Sequence, residues 1–170
     1  MSKYHITDHL ELKTILFEDY QLIKQMKAPI YNRSKMLSTL FSINPNSWRV
    51  IGITPAALEV FKKNSFRRVS GMGINRSHIT QRAQFYLELL NTEFKSANEF
   101  WQTYYDNDMT ILATSTENMS KSVELLANYY PVPFDERNLF RTAGFAWKHK
   151  EEEENFLKDL FKQHQLNQNK

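Results

Sequence analysis

The sequence predicts an α+β fold that is mostly helical, with a few short strands. Apolar residues recur at helical spacing along most of the 170-residue chain, and Thr54-Pro55 and the capping box SANE at Ser96 are typical helix starts. Two short apolar runs, WRVIGI from Trp48 and MTILA from Met109, predict strands. Helices mixed with a few separate strands are typical of α+β proteins.

The elements are predicted in chain order from the apolar face of each segment and from the residues that interrupt it. Helices are predicted over residues 1–28, 34–41, 54–64, 79–94, 96–105 and 119–130 and from Glu151, and strands at 48–53, at FRRVS and GMGI between residues 66 and 74, and at 109–113. The polar chain from Gln163 onward predicts a frayed tail. No linker or repeat divides the sequence, so we expect a single domain over residues 1–170, with a helical arm at 1–50 and a C-terminal helix and tail at 150–170.

Composition excludes several classes of protein. The chain has no cysteine, which excludes disulfides, thiolate metal sites and thiol enzymes. No glycine-rich stretch ends in Gly-Lys-Ser or Gly-Lys-Thr, so a P-loop is absent. No apolar run approaches the roughly 18 residues of a membrane-spanning helix, and the N-terminus is too polar for a signal peptide. We therefore expect a cytoplasmic protein that does not enter membranes.

The charge distribution is more informative than the net charge of +3. Residues 60–87 contain no acidic residue, whereas acids collect elsewhere, notably at 151–154. The basic residues of this acid-free segment are Lys62, Lys63, Arg67, Arg68, Arg76 and Arg82. A block of this kind attracts polyanions such as nucleic acids, although a solvated surface of no special function gives the same pattern.

The stretch GMGINRSHITQR at residues 71–82 allows two interpretations. It carries two of the chain's four glycines just ahead of His78, with Asn75, Arg76 and Arg82 nearby. One interpretation is a plain turn, with His78 at the entry of a helix. The other is a phosphate-binding site in which His78, with a pKa near neutrality, activates water as a general base. Phosphodiester hydrolysis also needs a cation at the scissile phosphate, usually held by oxygen ligands.

A second segment, DNDMTILATSTENMSKSVEL from Asp106, predicts a turn, a short strand and a helix that begins near Glu117-Asn118. Together the two segments form a strand, strand, helix pattern. NRSH at residues 75–78 resembles the Asp-Arg-Gly-His motif of the sugar-nonspecific ββα-metal nucleases, also called His-Me finger nucleases. TILATSTEN at residues 110–118 resembles the second strand and metal-binding asparagine of HNH endonucleases.

This resemblance implies a role for each matching position. His78 would be the general base, and Arg76 would stabilise charge on the phosphate. Asn118 would bind a divalent metal, Mg²⁺ or else Mn²⁺, and His78 and Asn75 would lie beside the same ion. Glu124, further along the same helix, would orient metal-bound water.

The chain departs from the family pattern at three places. Asn75 stands where the family has aspartate, and Ser77 stands where it has glycine. An extra helix at about residues 96–105 separates the two halves of the motif. The motif covers residues 71–124, within a finger expected at residues 66–130.

The resemblance implies a DNA endonuclease. A cytoplasmic nuclease without discrimination would damage its own cell, which favours a small type II restriction endonuclease or a related sequence-specific HNH nuclease. Palindromic sites favour a homodimer on double-stranded DNA, in which each subunit binds one half-site. The residues expected to contact the DNA are Lys62, Lys63, Arg67, Arg68 and Arg82.

Two other function classes remain open on the sequence. In the first, the protein binds DNA or RNA without cutting it. It uses the basic segment 60–87 for this, with TPAALEVFKKN as a recognition helix, and His78 has a structural role. In the second, the protein is an interaction module that presents Phe100, Trp101, Tyr104 and Tyr105 to a partner, although these aromatic residues are more simply explained as core.

Overall fold

The computed structural model describes residues 10–42, 48–120, 128–133 and 151–168, and these form an α+β fold, as predicted. The helices in these ranges are α1 (Leu10–Gln25), α2 (Ile30–Ser42), α3 (Pro55–Lys63), α4 (Arg82–Asn91), α5 (Ala97–Asn107), α6 (Ser115–Ser120) and α7 (Glu151–Gln168). The strands are β1 (Arg49–Ile53), β2 (Ile74–His78), β3 (Met109–Thr114) and β4 (Tyr130–Pro131). None of the helices described is both long and apolar enough to cross a membrane.

The four strands form one mixed sheet in the order β2-β3-β1-β4. β1 runs parallel to β3, with Arg49 opposite Met109, whereas β2 runs antiparallel to β3, with His78 opposite Thr110. β3 leads directly into α6. The strand, strand, helix order expected of the finger is therefore present in β2, β3 and α6, and α4 and α5 are inserted between the two strands.

Helices α1, α2, α4 and α5 pack around an aromatic core, the helical cluster. Its buried members are Leu16, Tyr20, Leu37, Phe41, Phe85, Tyr86, Leu89, Leu90, Phe100, Trp101 and Tyr104. The ring centroids of Tyr20 and Phe100 are 4.4 Å apart, and those of Phe41 and Tyr104 are 4.1 Å apart. Phe100, Trp101 and Tyr104 are each at most 2% exposed. These three aromatic residues are therefore core, and they do not form an interaction surface.

A second core, the sheet cluster, lies between one face of the sheet and helices α3 and α7. Its buried members are Val50, Ile53, Ala57, Leu58, Phe61, Leu112, Val132, Leu157 and Phe161. Leu157 and Phe161 belong to α7, which is helical to Gln168, through part of the polar segment predicted to be a frayed tail. Burial of apolar side chains, more than intrinsic propensity, stabilises helices in proteins.

The predicted helix starts of α3 and α5 are confirmed. The Thr54 hydroxyl accepts a hydrogen bond from the Ala57 amide at 3.1 Å, and Pro55 occupies the first helical position. The Ser96 hydroxyl accepts a hydrogen bond from the Glu99 amide at 3.2 Å. Each cap satisfies an amide that the helix itself leaves without a partner.

Two local predictions are wrong. α2 begins at Ile30 and not at Ser34, because the Pro29 carbonyl already accepts the Asn32 amide at 2.9 Å. FRRVS is not a strand. Ser65 and Phe66 adopt positive φ angles of 56° and 60°, which turn the chain sharply after α3.

Gly52 gives the fold a testable steric constraint. It lies in the fully buried strand β1, and a Cβ added there would be 2.0 Å from Cδ2 of the Tyr129 ring. We expect Gly52→Ala to lower the free energy of unfolding by about 1–3 kcal/mol, the usual cost of overpacking. Urea denaturation measures this loss. A variant Gly71→Ala should leave the packing untouched, because nothing lies within 4 Å of its added Cβ, although its φ of +76° adds backbone strain.

Candidate functional site

The two faces of β2 carry different side chains. Asn75 and Ser77 face α6, since Asn75 Nδ2 donates to Ser115 Oγ at 3.0 Å and Ser77 Oγ donates to Asn118 Oδ1 at 2.7 Å. Successive residues of a strand point to opposite faces of the sheet. Arg76 and His78 therefore lie on the other face.

This alternation separates the residues that the finger motif was expected to bring together. Asn118 is exposed on α6, and its side chain meets Ser77, whereas His78 points away from α6. Asn75 likewise faces Ser115 of α6. His78, Asn75 and Asn118 therefore do not surround one ion in this structure. The residues of NRSH lie within the strand, where moving by one residue takes a side chain to the opposite face of the sheet.

His78 lies in a cationic and aromatic environment. Its ring packs edge-on against the Trp48 indole, with 5.3 Å between the centroids and 83° between the planes. Burial, reinforced by the charges of Arg82 and Arg76, lowers the pKa of His78 from 6.5 to about 4. The imidazole is therefore neutral at pH 7 and can accept a proton.

Arg76 is the second basic residue on this face. Burial lowers the pKa of its guanidinium from 12.5 to about 10, and the charge of Arg68 acts in the same direction. Glu153 and Asp108 oppose the shift. Arg76 thus keeps its positive charge at neutral pH, in a position where water screens that charge only weakly.

Arg82 reaches the same region from the first turn of α4. Its Nη2 donates to the Ser38 carbonyl at 3.3 Å and to the Ser38 hydroxyl, which ties α4 to α2. Its guanidinium carbon lies 4.6 Å from the centroid of the Trp48 ring and 5.9 Å from that of Tyr86. Arginine stacked on aromatic faces in this way is held in one orientation.

Asp108 is a buried carboxylate next to Trp48. It is 4% exposed, and its Oδ2 accepts the Trp48 amide at 2.6 Å and the Tyr104 hydroxyl at 2.8 Å. Burial raises the pKa of Asp108, while these hydrogen bonds and the charges of Arg49 and Arg82 lower it. Asp108 connects the helical cluster, through Tyr104, with the end of the sheet.

We call the group formed by Arg76, His78 and Arg82 the cationic site. All three residues are half-buried. Two arginines beside a neutral histidine can bind an anion and place it next to a proton acceptor.

The basic residues of α3 are exposed, as DNA contacts would be. Lys62 and Lys63 both face solvent at the C-terminal end of α3. Lys62 Nζ lies 3.9 Å from Glu59 Oε2 and 4.4 Å from the centroid of the Phe161 ring. Exposed ion pairs contribute little free energy, so a phosphate can compete for Lys62.

Arg67 and Arg68 face the acidic start of α7. Arg67 Nε lies 3.2 Å from Glu154 Oε2, although 64% of the Arg67 side chain remains exposed. Burial lowers the pKa of Arg68, and the charge of Glu153, which is 3% exposed, opposes that shift. Two of the four glutamates at the start of α7, Glu153 and Glu154, therefore lie close to basic residues of the acid-free segment.

Trp48 and Asp108 were missed by the sequence analysis. Trp48 immediately precedes β1 and Asp108 immediately precedes β3, and these two strands are parallel neighbours, so the two residues meet at the same end of the sheet. Knowledge of this pairing would have placed them together. The sequence shows the strands but not their partners.

The predicted water-orienting residue, Glu124, lies outside the described residues. Within the described ranges, no group of three or more histidine, aspartate or glutamate side chains is arranged to hold a metal ion. Comparison of the chain with protein-family models, curated protein sequences and solved structures finds no match. Function must therefore be inferred from the geometry of the cationic site.

Proposed function

We propose that this protein is an endonuclease that binds a DNA phosphate at the cationic site and hydrolyses the phosphodiester bond there. The observation that carries the proposal is the position of His78, a neutral imidazole that shares one face of β2 with Arg76 and packs against the same Trp48 indole as Arg82. The two arginines stabilise the negative charge that develops on phosphorus oxygens in the transition state. His78 accepts the proton of the attacking water, whose oxygen forms the new bond to phosphorus as the leaving oxygen departs.

A bound phosphate also makes His78 a stronger base. In the free protein, burial and two arginine charges hold the pKa of His78 at about 4. A phosphate anion beside the imidazole offsets the arginine charges and favours the protonated ring. The pKa then rises towards neutrality, where general bases are most effective at physiological pH.

The proposal assigns no step to a metal ion. Asn118 and Asn75 face α6, away from His78, so the described residues do not reproduce the metal centre of the finger nucleases. Dependence on Mg²⁺ or Mn²⁺ remains a prediction of the family resemblance. It is tested by chelation in the cleavage assay below.

The cleavage assay uses purified protein and plasmid DNA with Mg²⁺, with Mn²⁺ or with EDTA. We expect wild-type protein to cut the plasmid, and His78→Ala to reduce the rate by about 10²–10⁴-fold, the usual contribution of a general base. His164→Ala is the matched control, because His164 contacts Tyr130 on the far side of the fold, with 2.6 Å between Tyr130 Oη and His164 Nδ1. Discrete fragments indicate a restriction-type specificity, and a smear indicates none. Equal rates for wild type and His78→Ala would contradict the proposed role of His78.

The second candidate function is nucleic-acid binding without cleavage. The observation in its favour is the separation of His78 from Asn118, which leaves the finger without its expected metal site. Exposed Lys62 and Lys63 would then contact phosphates, and affinity would fall steeply with salt without any need for a divalent metal. Binding of wild-type protein in a gel-shift assay, with no cleavage of methylated or unmethylated DNA, would establish this candidate.

The homodimer is also part of the proposal, and α1 offers a surface for it. Ile15 and Leu22 of α1 are 46% and 64% exposed, and Met26, one residue beyond its end, is 43% exposed; these three residues are the apolar stripe. Acidic Glu18 and Asp19 precede Leu22 in the sequence and basic Lys27 follows it, so an antiparallel pairing about Leu22 would bring opposite charges together.

We expect Leu22→Glu to convert a dimer into monomers, because it places a charge at the centre of this paired surface. Light scattering after size exclusion measures the mass. Thr14→Glu is the control, since Thr14 is also exposed on α1 but lies outside the stripe. A wild-type protein that is monomeric at high concentration would contradict the dimer.

A further inference from the structure

Trp48 is a buried tryptophan with an unusual backbone conformation beside the cationic site. Its φ is 61°, in the left-handed region that bulky side chains rarely adopt. Its side chain is 6% exposed, yet it belongs to neither the helical cluster nor the sheet cluster. A residue held in such a conformation needs surroundings that determine its position.

Those surroundings hold the Trp48 backbone on both sides. The Trp48 amide donates to Asp108 Oδ2 at 2.6 Å, and the Trp48 carbonyl accepts a hydrogen bond from Thr110 Oγ1 at 3.0 Å. Asp108 and Thr110 are 4% and 0% exposed, so both anchors are buried. Asp108 is itself held by the Tyr104 hydroxyl at 2.8 Å. The position of the Trp48 backbone is therefore set by buried hydrogen bonds on either side of it.

The indole in turn contacts two of the three residues of the cationic site. Its edge-on contact with the His78 ring has 5.3 Å between centroids, and the Arg82 guanidinium carbon lies 4.6 Å from its centroid. Arg82 Nε is buried and has no hydrogen-bond partner among the described residues. The Trp48 side chain thus contacts both His78 and Arg82.

We propose that Trp48 is a positioning residue, whose indole holds the Arg82 guanidinium and the His78 imidazole in fixed relation to each other. The contacts exist in the protein alone, and only their consequence for phosphate binding rests on the proposed function. Catalytic groups need support of this kind, because small displacements from the productive geometry cost large factors in rate.

The test removes the indole without disturbing the backbone. Trp48→Gly and Trp48→Asn both suit a residue with positive φ, since glycine and asparagine adopt it readily. Trp48→Phe keeps an aromatic ring against His78 and Arg82. Trp101→Phe is the control for a general loss of packing, because Trp101 is 2% exposed within the helical cluster.

The first measurement is the exchange of the Arg82 Nε–H proton with water, followed by ¹⁵N NMR on the free protein. We expect exchange to accelerate at least about tenfold in Trp48→Gly and Trp48→Asn, because the indole no longer covers this group. Trp48→Phe and Trp101→Phe should stay close to wild type. Should Trp48→Gly fail to fold, Trp48→Asn gives the same comparison with a stiffer backbone. Unchanged exchange in the folded indole-free variants overturns the proposal.

The second measurement is the affinity for inorganic phosphate, followed by the NMR resonances of His78. We expect Trp48→Gly to weaken phosphate binding about tenfold, a loss that Trp48→Phe largely restores. Equal affinity of wild type and Trp48→Gly contradicts the positioning role. Absence of phosphate binding by wild-type protein counts against the proposed function instead, and the exchange measurement still decides the role of Trp48.

Discussion

Replacing Asp108 by alanine is expected to lower the free energy of unfolding by about 3–5 kcal/mol, as removal of one partner from a buried charged network does. Asp108 is 4% exposed and accepts the Trp48 amide at 2.6 Å and the Tyr104 hydroxyl at 2.8 Å. Without the carboxylate, both donors lose this acceptor inside the protein. Arg49, which is 5% exposed, also loses a nearby negative charge.

Two further variants separate the causes of this loss. Asp108→Asn keeps an oxygen that can accept the Trp48 amide but removes the charge, so we expect it to retain part of the lost stability. Asp106→Ala removes a nearby carboxylate, in the last turn of α5, that is exposed and accepts only the Gln102 amide, at 2.9 Å and 3.0 Å, among the contacts described. Its effect should stay within about 0.5 kcal/mol, as for other surface substitutions. Urea denaturation at pH 7 measures all three, and equal effects of the two alanine variants would show that burial of Asp108 carries no energetic weight.

Much of the fold could be predicted from the sequence because it depends on local chemistry. The start of α3 follows from Thr54 and Pro55, and that of α5 from Ser96, since a cap and the helix it serves are neighbours in the chain. The strands at WRVIGI and MTILA were found for the same reason. The helical end of α7 was missed because the polar residues after Phe161 give no apolar periodicity, and the contact of His164 there with distant Tyr130 leaves no local signal.

The candidate site was harder to predict, because it depends on which face of a strand each residue occupies. In the structure β2 lies beside β3 and α6, and Ser77 Oγ lies 2.7 Å from Asn118 Oδ1. The sequence predicts a strand that ends at Ile74, ahead of His78. In the structure His78 is the last residue of β2, so alternation directs it to the face opposite Asn118. The position of the strand boundary thus decides which face of the sheet His78 occupies relative to Asn118.

Lowering the pH from 7 towards 4 is expected to destabilise the protein by about 2–3 kcal/mol through His78 alone. Burial and the charges of Arg82 and Arg76 lower the pKa of His78 from 6.5, its ordinary value, to about 4. Between these two pH values the unfolded chain binds a proton that the folded protein does not, so stability falls as the pH falls. The contribution is fully present above about pH 6.5 and lost progressively as the pH approaches 4. The magnitude is somewhat below the full shift because the side chain is only half-buried.

The variant His78→Gln isolates this effect from the other groups that titrate in the same range. Asp108, whose pKa is raised by burial, is present in both proteins and cancels in the difference. Urea denaturation of wild type and His78→Gln at several pH values should give curves that diverge below pH 6.5, with wild type losing more stability. Parallel curves would show that the folded protein protonates His78 as easily as the unfolded chain does. The imidazole would then carry a positive charge at mildly acidic pH, and the cationic site would lose its proton acceptor there.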